Sequence, residues 1–166
     1  MKESNIIKFY RGEFSLIRPN LKNIWKFNDS KLEHKHFYIQ WLFPLNESSN
    51  CNSHAPILTE YDIEVMKSDK EIKKNILKSL RIILKFYGLK LENNNIKIAE
   101  EFKEKQTWIT RKNHNFKRIT RILKFLVLMD MKELANSFFS TLSIIYENNK
   151  EVIGETSFNY WNRAIE

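Results

Sequence analysis

The chain has 166 residues with 12 Phe, 6 Tyr and 4 Trp but only 3 Gly and 3 Pro. It is long enough for a continuous core, since such a chain buries roughly 70% of its extended surface. It is too poor in turn formers for a sandwich or barrel of many short strands. Cys51 is the only cysteine, which excludes an intrachain disulfide, and the +8 formal charge is concentrated in residues 67–124, with 17 Lys and Arg against 6 Asp and Glu.

A lone cysteine fits a reducing, intracellular setting, cytoplasmic or nuclear. The longest apolar stretches, residues 37–45 and 125–129, fall far short of the roughly 20 residues a membrane span needs. The first ten residues carry no apolar core of a signal peptide, so none is expected.

In chain order, residues 9–14 read as a short extended or turn element. A helix begins after Asn20, with Leu21, Ile24 and Trp25 on one face. Ser30 and Glu33 have capping-box spacing, in which each side chain bonds a free N–H of the first turn. They predict a helix from Ser30 to about Phe43, stopped by Pro44. Residues 46–56 are polar and read as a loop. Thr59 with Asp62 predicts the next helix start, for a short helix ending near Lys67. Ser68 and Glu71 form a second box.

Apolar residues then recur as Ile72, Ile76, Leu80, Ile83, Leu84 and Tyr87, the three-and-four spacing of an amphipathic helix. Gly88 ends it as a left-handed cap does. Asn93, Asn94 and Asn95 make a turn, and residues 96–108 are predicted helical, with Glu100, Glu101 and Glu104 outward. A polar connector over 111–115 leads to helices at 116–129 and 132–146, joined through Asp130. A last helix over 157–164 brings Phe158, Tyr160 and Trp161. With no internal repeat, the expectation is an all-α, single compact domain, residues 1–166, of about eight helices in a bundle-like arrangement.

Within these segments, Tyr38-Ile-Gln-Trp-Leu-Phe-Pro44 resembles the hallmark of the opioid growth factor receptor conserved domain. Further blocks follow that family's pattern in its order. They are Phe9-Tyr-Arg-Gly-Glu13, Leu32-Glu33 with His36, Leu58-Thr59, Phe86-Tyr-Gly88, and His114-Asn115 followed by Arg118-Ile-Thr-Arg-Ile-Leu-Lys124. They cover about residues 9 to 145. The chain lacks the long acidic, repeat-rich C-terminal region of vertebrate members and looks like the domain standing alone, as in bacterial, fungal or viral relatives. The resemblance implies a receptor for an enkephalin peptide and offers no catalytic residues to carry over.

Several residues are candidates for a site. The helix at 37–43 is apolar on every side and should be buried. Gln40 within it needs partners, either a loop backbone that it pins or a ligand at a pocket floor. Trp41 reads as core. Arg118 lies at the margin of the stripe of Ile119, Ile122, Leu123 and Leu126, and Arg121 lies outside it. Arg118 suits a bidentate grip on a carboxylate or phosphate, or an internal salt bridge to Glu33.

Arg111, Lys112, His114, Lys117 and Arg118 crowd the positive end of a helix dipole. A docked anion relieves that crowding, as internal glutamates 100, 101 and 104 could. His34, His36, Cys51 and His54 could in principle ligate zinc, but their spacing matches no known pattern, so no metal site is expected.

The leading expectation is a non-enzymatic binding module that receives a peptide or protein segment in a polar-floored groove. Its ligand-binding residues are His36, Gln40, His114, Asn115, Arg118 and Arg121. The alternative is nucleic-acid or phosphate binding through the basic middle, carried by Arg111, Lys112, Lys117 and Lys124. A third is an unrecognised enzyme built from His36, Gln40, His114 and Arg118. No cofactor is expected, and the pattern fixes no oligomeric state.

Overall fold

Helix-capping side chains punctuate the chain from its first described residues. The structure, a computed structural model, describes residues 3–13 and 20–166, in two units, Met1–Ile83 and Leu84–Glu166. Among the described residues it is predominantly helical, with ten α-helices, one 3-10 helix and one small β-hairpin.

The first unit opens with α1 (Asn5–Tyr10), where Ser4 accepts from the Ile7 N–H. Phe9 and Tyr10 therefore close a helix, and Arg11 and Gly12 make the turn of the expected extended or turn element; its end, Phe14, lies outside the described residues. Asn20 caps α2 (Leu21–Ile24), burying Leu21 and Ile24 as their spacing predicted.

The helix expected from Ser30 to Phe43 is two helices. Asn28, not Ser30, takes the N-cap of α3 (Asp29–His34), accepting from the Lys31 N–H at 2.9 Å. Lys35 is then extended. The Tyr38 hydroxyl donates to the Leu32 carbonyl at 2.7 Å, a carbonyl that a continuing helix would give to the amide four residues on. The chain resumes as α4 (Tyr38–Leu42) and stops before Pro44. Phe43 sits at φ −132°, ψ 66°, outside the helical region as a residue preceding proline prefers. Tyr38, Ile39, Gln40 and Leu42 are buried, but Trp41 is half-exposed beside Phe9, with ring centroids 5.3 Å apart.

The polar loop that follows is closed by an isolated bridge between Leu45 and Ile57. Thr59 and Asp62 form the predicted capping box of α5 (Glu60–Ser68). Ser68, by contrast, spends its hydroxyl on the Glu64 carbonyl, and Asp69 accepts from the Glu71 and Ile72 amides at the start of α6 (Lys70–Phe86). A carboxylate is the stronger partner for that positive helix end. Ile72, Ile76, Leu80 and Ile83 are fully buried. Asn75 on the same face donates to the Tyr10 carbonyl at 2.7 Å, and α1 packs on α5. The Tyr10 hydroxyl donates to the Leu42 carbonyl, and burial raises its pKa well above the usual phenol value.

The second unit begins in the last turn of α6. Gly88, at φ +76°, turns the chain into strand β1 (Leu89–Glu92). Strand β2 (Asn95–Ile98) returns antiparallel, pairing Leu89 with Ile98 and Leu91 with Ile96. The helix expected over 96–108 is thus a strand followed by a 3-10 helix, Glu100–Trp108. Asn93 and Asn94, both at positive φ (48° and 61°), make the two-residue turn whose twist suits a hairpin.

Helices α7 (Asn115–Leu128) and α8 (Lys132–Glu147) follow nearly as predicted, joined through Asp130 at φ +57°. A short α9 (Lys150–Ile153) precedes α10 (Glu155–Ala164). Helix α10 packs on α7 and α8, α7 packs on α8, and β2 lies against α8. Ser137 Oγ accepts from the Ile96 N–H at 2.8 Å, and Thr141 Oγ1 donates to the Ile96 carbonyl at 2.6 Å. Two hydroxyls one helical turn apart thereby satisfy both backbone groups of a buried strand residue.

Candidate functional site

Asn115, the first residue of α7, is fully buried and is the hub of a polar cluster. Its Oδ1 accepts from the Tyr87 hydroxyl at 3.1 Å and from Arg118 Nη1 at 3.2 Å. Its side-chain and backbone nitrogens both donate to Asn113 Oδ1 at 2.9 Å. Asn113 thus does the capping at a helix start where His114, at the N-cap position, makes no side-chain cap bond. The preceding Lys112 takes a left-handed conformation, φ +56°.

An aromatic frame holds this cluster. Tyr87 contacts Trp108 edge-on at 5.2 Å between centroids, Trp108 meets Phe116 at 6.4 Å, and Phe116 meets Trp161 at 5.9 Å. Both indoles are anchored: Trp108 Nε1 donates to the Tyr87 carbonyl at 3.2 Å and Trp161 Nε1 to the Phe116 carbonyl at 3.0 Å. Buried tryptophans with satisfied N–H groups make a stiff support.

Arg118 is 5% exposed. A charge so buried requires partners, and a guanidinium carries five N–H donors in a fixed fork. Arg121, one turn on, is half-buried. His114, Arg111, Lys112, Lys117 and Lys124 are exposed. Glu100, one of the glutamates considered as an internal counter-anion, pairs with Lys90 at 2.7 Å.

In the first unit, Gln40 is buried and satisfied locally: its amide, oriented by its hydrogen bonds, donates to the His36 carbonyl at 2.9 Å and the Phe37 carbonyl at 3.1 Å. His36 itself is exposed. His34 Nδ1 lies 2.8 Å from the Ser30 carbonyl, and Cys51 and His54 are exposed. Among the described residues, no three His, Cys, Asp or Glu side chains gather to hold a metal ion, and no helix is long and apolar enough to cross a membrane.

No sequence signal marks Tyr87 as a polar participant, because its place at the end of the apolar stripe that begins at Ile72 explains it fully. Its hydroxyl partner lies 28 residues away, and no local pattern signals that.

A helical chain whose second unit is organised on the segment from His114 to Lys124 matches one family throughout. The opioid growth factor receptor conserved region aligns with residues 2–166, and the chain belongs to that family. It is 43% identical over 168 residues to opioid growth factor receptor-like protein 1 of Mus musculus, covering 96% of this chain and 35% of that protein. It is 40% identical to the opioid growth factor receptor of Mus musculus and 38% identical to that of Homo sapiens, each over 72% of this chain. The chain spans about a third of the receptor-like protein's length and about a fifth of the receptors' (35%, 20% and 19%). No solved structure matches it.

Proposed function

We propose that residues 1–166 act as one receptor-like, non-enzymatic interaction module that takes a peptide or protein segment in a polar-floored groove, through the cluster at the start of α7. The observation that carries this reading is a buried arginine, Arg118, shared with the buried Asn115, in a chain 38–43% identical to proteins named as opioid growth factor receptors or receptor-like. A guanidinium is the side chain whose planar fork matches a carboxylate. His114 and Arg121 flank it on the same helix.

The ligand class follows from the relatives' name: a short opioid-type peptide, whose C-terminal carboxylate is the group for Arg118. Isothermal titration with an enkephalin-like pentapeptide tests it, at low and at raised salt. Binding that survives salt, and is lost in R118A and weakened in R118K, is expected, because lysine keeps the charge but not the fork. Unchanged binding in both variants, or none in the parent chain, overturns the reading.

A further inference from the structure

The basic excess of residues 67–124 is not spread evenly over its elements. On α6, Lys70, Lys74, Lys78, Arg81 and Lys85 follow one another at intervals of four, four, three and four. At about 100° per residue they fall within a sector about 80° wide, diametrically opposite the buried line of Ile72, Ile76 and Ile83. All five are exposed. At about 1.5 Å per residue, they form a row about 22 Å long with steps of about 4.5 to 6 Å.

The row is poorly neutralised. Glu71, at its edge, approaches Lys74 at 3.8 Å. Among the described residues, Lys70, Arg81 and Lys85 have no carboxylate within ion-pair distance. Lys78 lies over the Trp25 ring at 4.1 Å from its centroid, which positions the ammonium without cancelling its charge. A solvated helix gains when opposite charges sit three or four residues apart and loses when like charges do. Here 70 with 74, 74 with 78, 78 with 81 and 81 with 85 are all repulsive pairs, and the repulsion is relieved when a polyanion lies along the row.

We propose that this face of α6 binds the phosphate backbone of duplex nucleic acid without reading its sequence. The inference concerns the polyanion reading of the basic segment and is independent of the peptide site on α7. A row of cations on a convex helix meets a line of charge, which a phosphate strand supplies. Single-strand binders add aromatic platforms for the bases, and the Trp25 ring beside the row already has Lys78 over it. The exposed row is four lysines and one arginine, which supply charge for phosphates, and it carries no Asn or Gln to read adenine edges. The apolar face of α6 is committed to the core and so cannot insert into a lipid surface, as interfacial helices do.

The test is fluorescence anisotropy of the full chain with a labelled mixed-sequence DNA duplex of about 20 base pairs, between about 50 and 200 mM salt. The expected log–log salt slope is about −4, the value for four to five phosphate contacts, and equal for two unrelated sequences. K74Q/R81Q should shallow that slope by about two, one per phosphate contact removed. The fivefold variant K70Q/K74Q/K78Q/R81Q/K85Q should abolish binding with its helical circular dichroism retained. K112Q/K117Q, at the start of α7, should leave the slope unchanged. A parent chain that does not bind duplex, a slope indifferent to K74Q/R81Q, or capture by phosphatidylserine vesicles without duplex binding overturns the proposal.

Discussion

The hydroxyl of Tyr87 and the carboxamide oxygen of Asn115 meet at 3.1 Å inside the second unit, linking residues 28 positions apart in sequence. Arg118 shares the same oxygen, so the phenol and the guanidinium are held by one acceptor. Y87F removes one donor but leaves Asn115 Oδ1 with Arg118, and should cost about 1 kcal/mol, the net value of one hydrogen bond. N115A deprives a buried phenol and a buried cation of their shared acceptor, and should cost more than twice as much. Urea denaturation of the two variants checks that order.

Gly88 is the tightest glycine in the chain. Its φ of +76° already disfavours a side chain, and a Cβ there would lie 2.9 Å from both Lys105 Cβ and Phe102 Cα. Strain and overlap act together in G88A. A loss of about 3 kcal/mol is expected, seen as a lowered denaturation midpoint with an unchanged slope.

Asp62 makes stability depend on pH in its acid range. Burial pushes its carboxyl up, but the hydroxyl of Ser4 and the amide and hydroxyl of Thr59 outweigh that and hold it below the ordinary carboxylate value. A depressed folded pKa contributes stability in full above the unfolded value, about 3.9. That contribution disappears as pH falls through the folded value, because the folded state then takes up the proton. Thermal melts from about pH 6 down to pH 2 should fall steeply below pH 4 in the parent. In D62N the fall should be shallower and the neutral-pH melt lower.

Much of this architecture was legible, for identifiable reasons. Thr59 and Asp62 gave a true helix start because both halves of the box compete with nothing else nearby. Ile72, Ile76, Leu80 and Ile83 announced α6 by periodicity alone. Ser30 with Glu33 carried the same box spacing, yet Asn28 stood two residues earlier and claimed the cap. Ser68 lost its role to Asp69 in the same way.

Of the helix expected over 96–108, residues 100–108 are helical as a 3-10 helix, while 96–98 belong to β2, which at four residues is too short for alternation to show. Its pairing with β1 depends on two asparagines accepting positive φ. At the candidate site, Asn115 and Arg118 are three apart on one helix, so their meeting follows from spacing. The contribution of Tyr87 is purely tertiary. The row on α6 was present in the sequence as a basic segment, but its alignment opposite a buried face emerged only with the helix boundaries.

The grip of Ser137 and Thr141 on Ile96 has a consequence for how partners can approach. The outward N–H and carbonyl of a two-stranded ribbon ordinarily invite another strand to zip onto it. Here α8 occupies both groups at the centre of β2. Strand addition along that border, whether by a guest peptide or by a sister molecule on the way to a fibril, would first have to pull the helix away. The β2 border of the ribbon is thereby removed from the surfaces on which self-association could start.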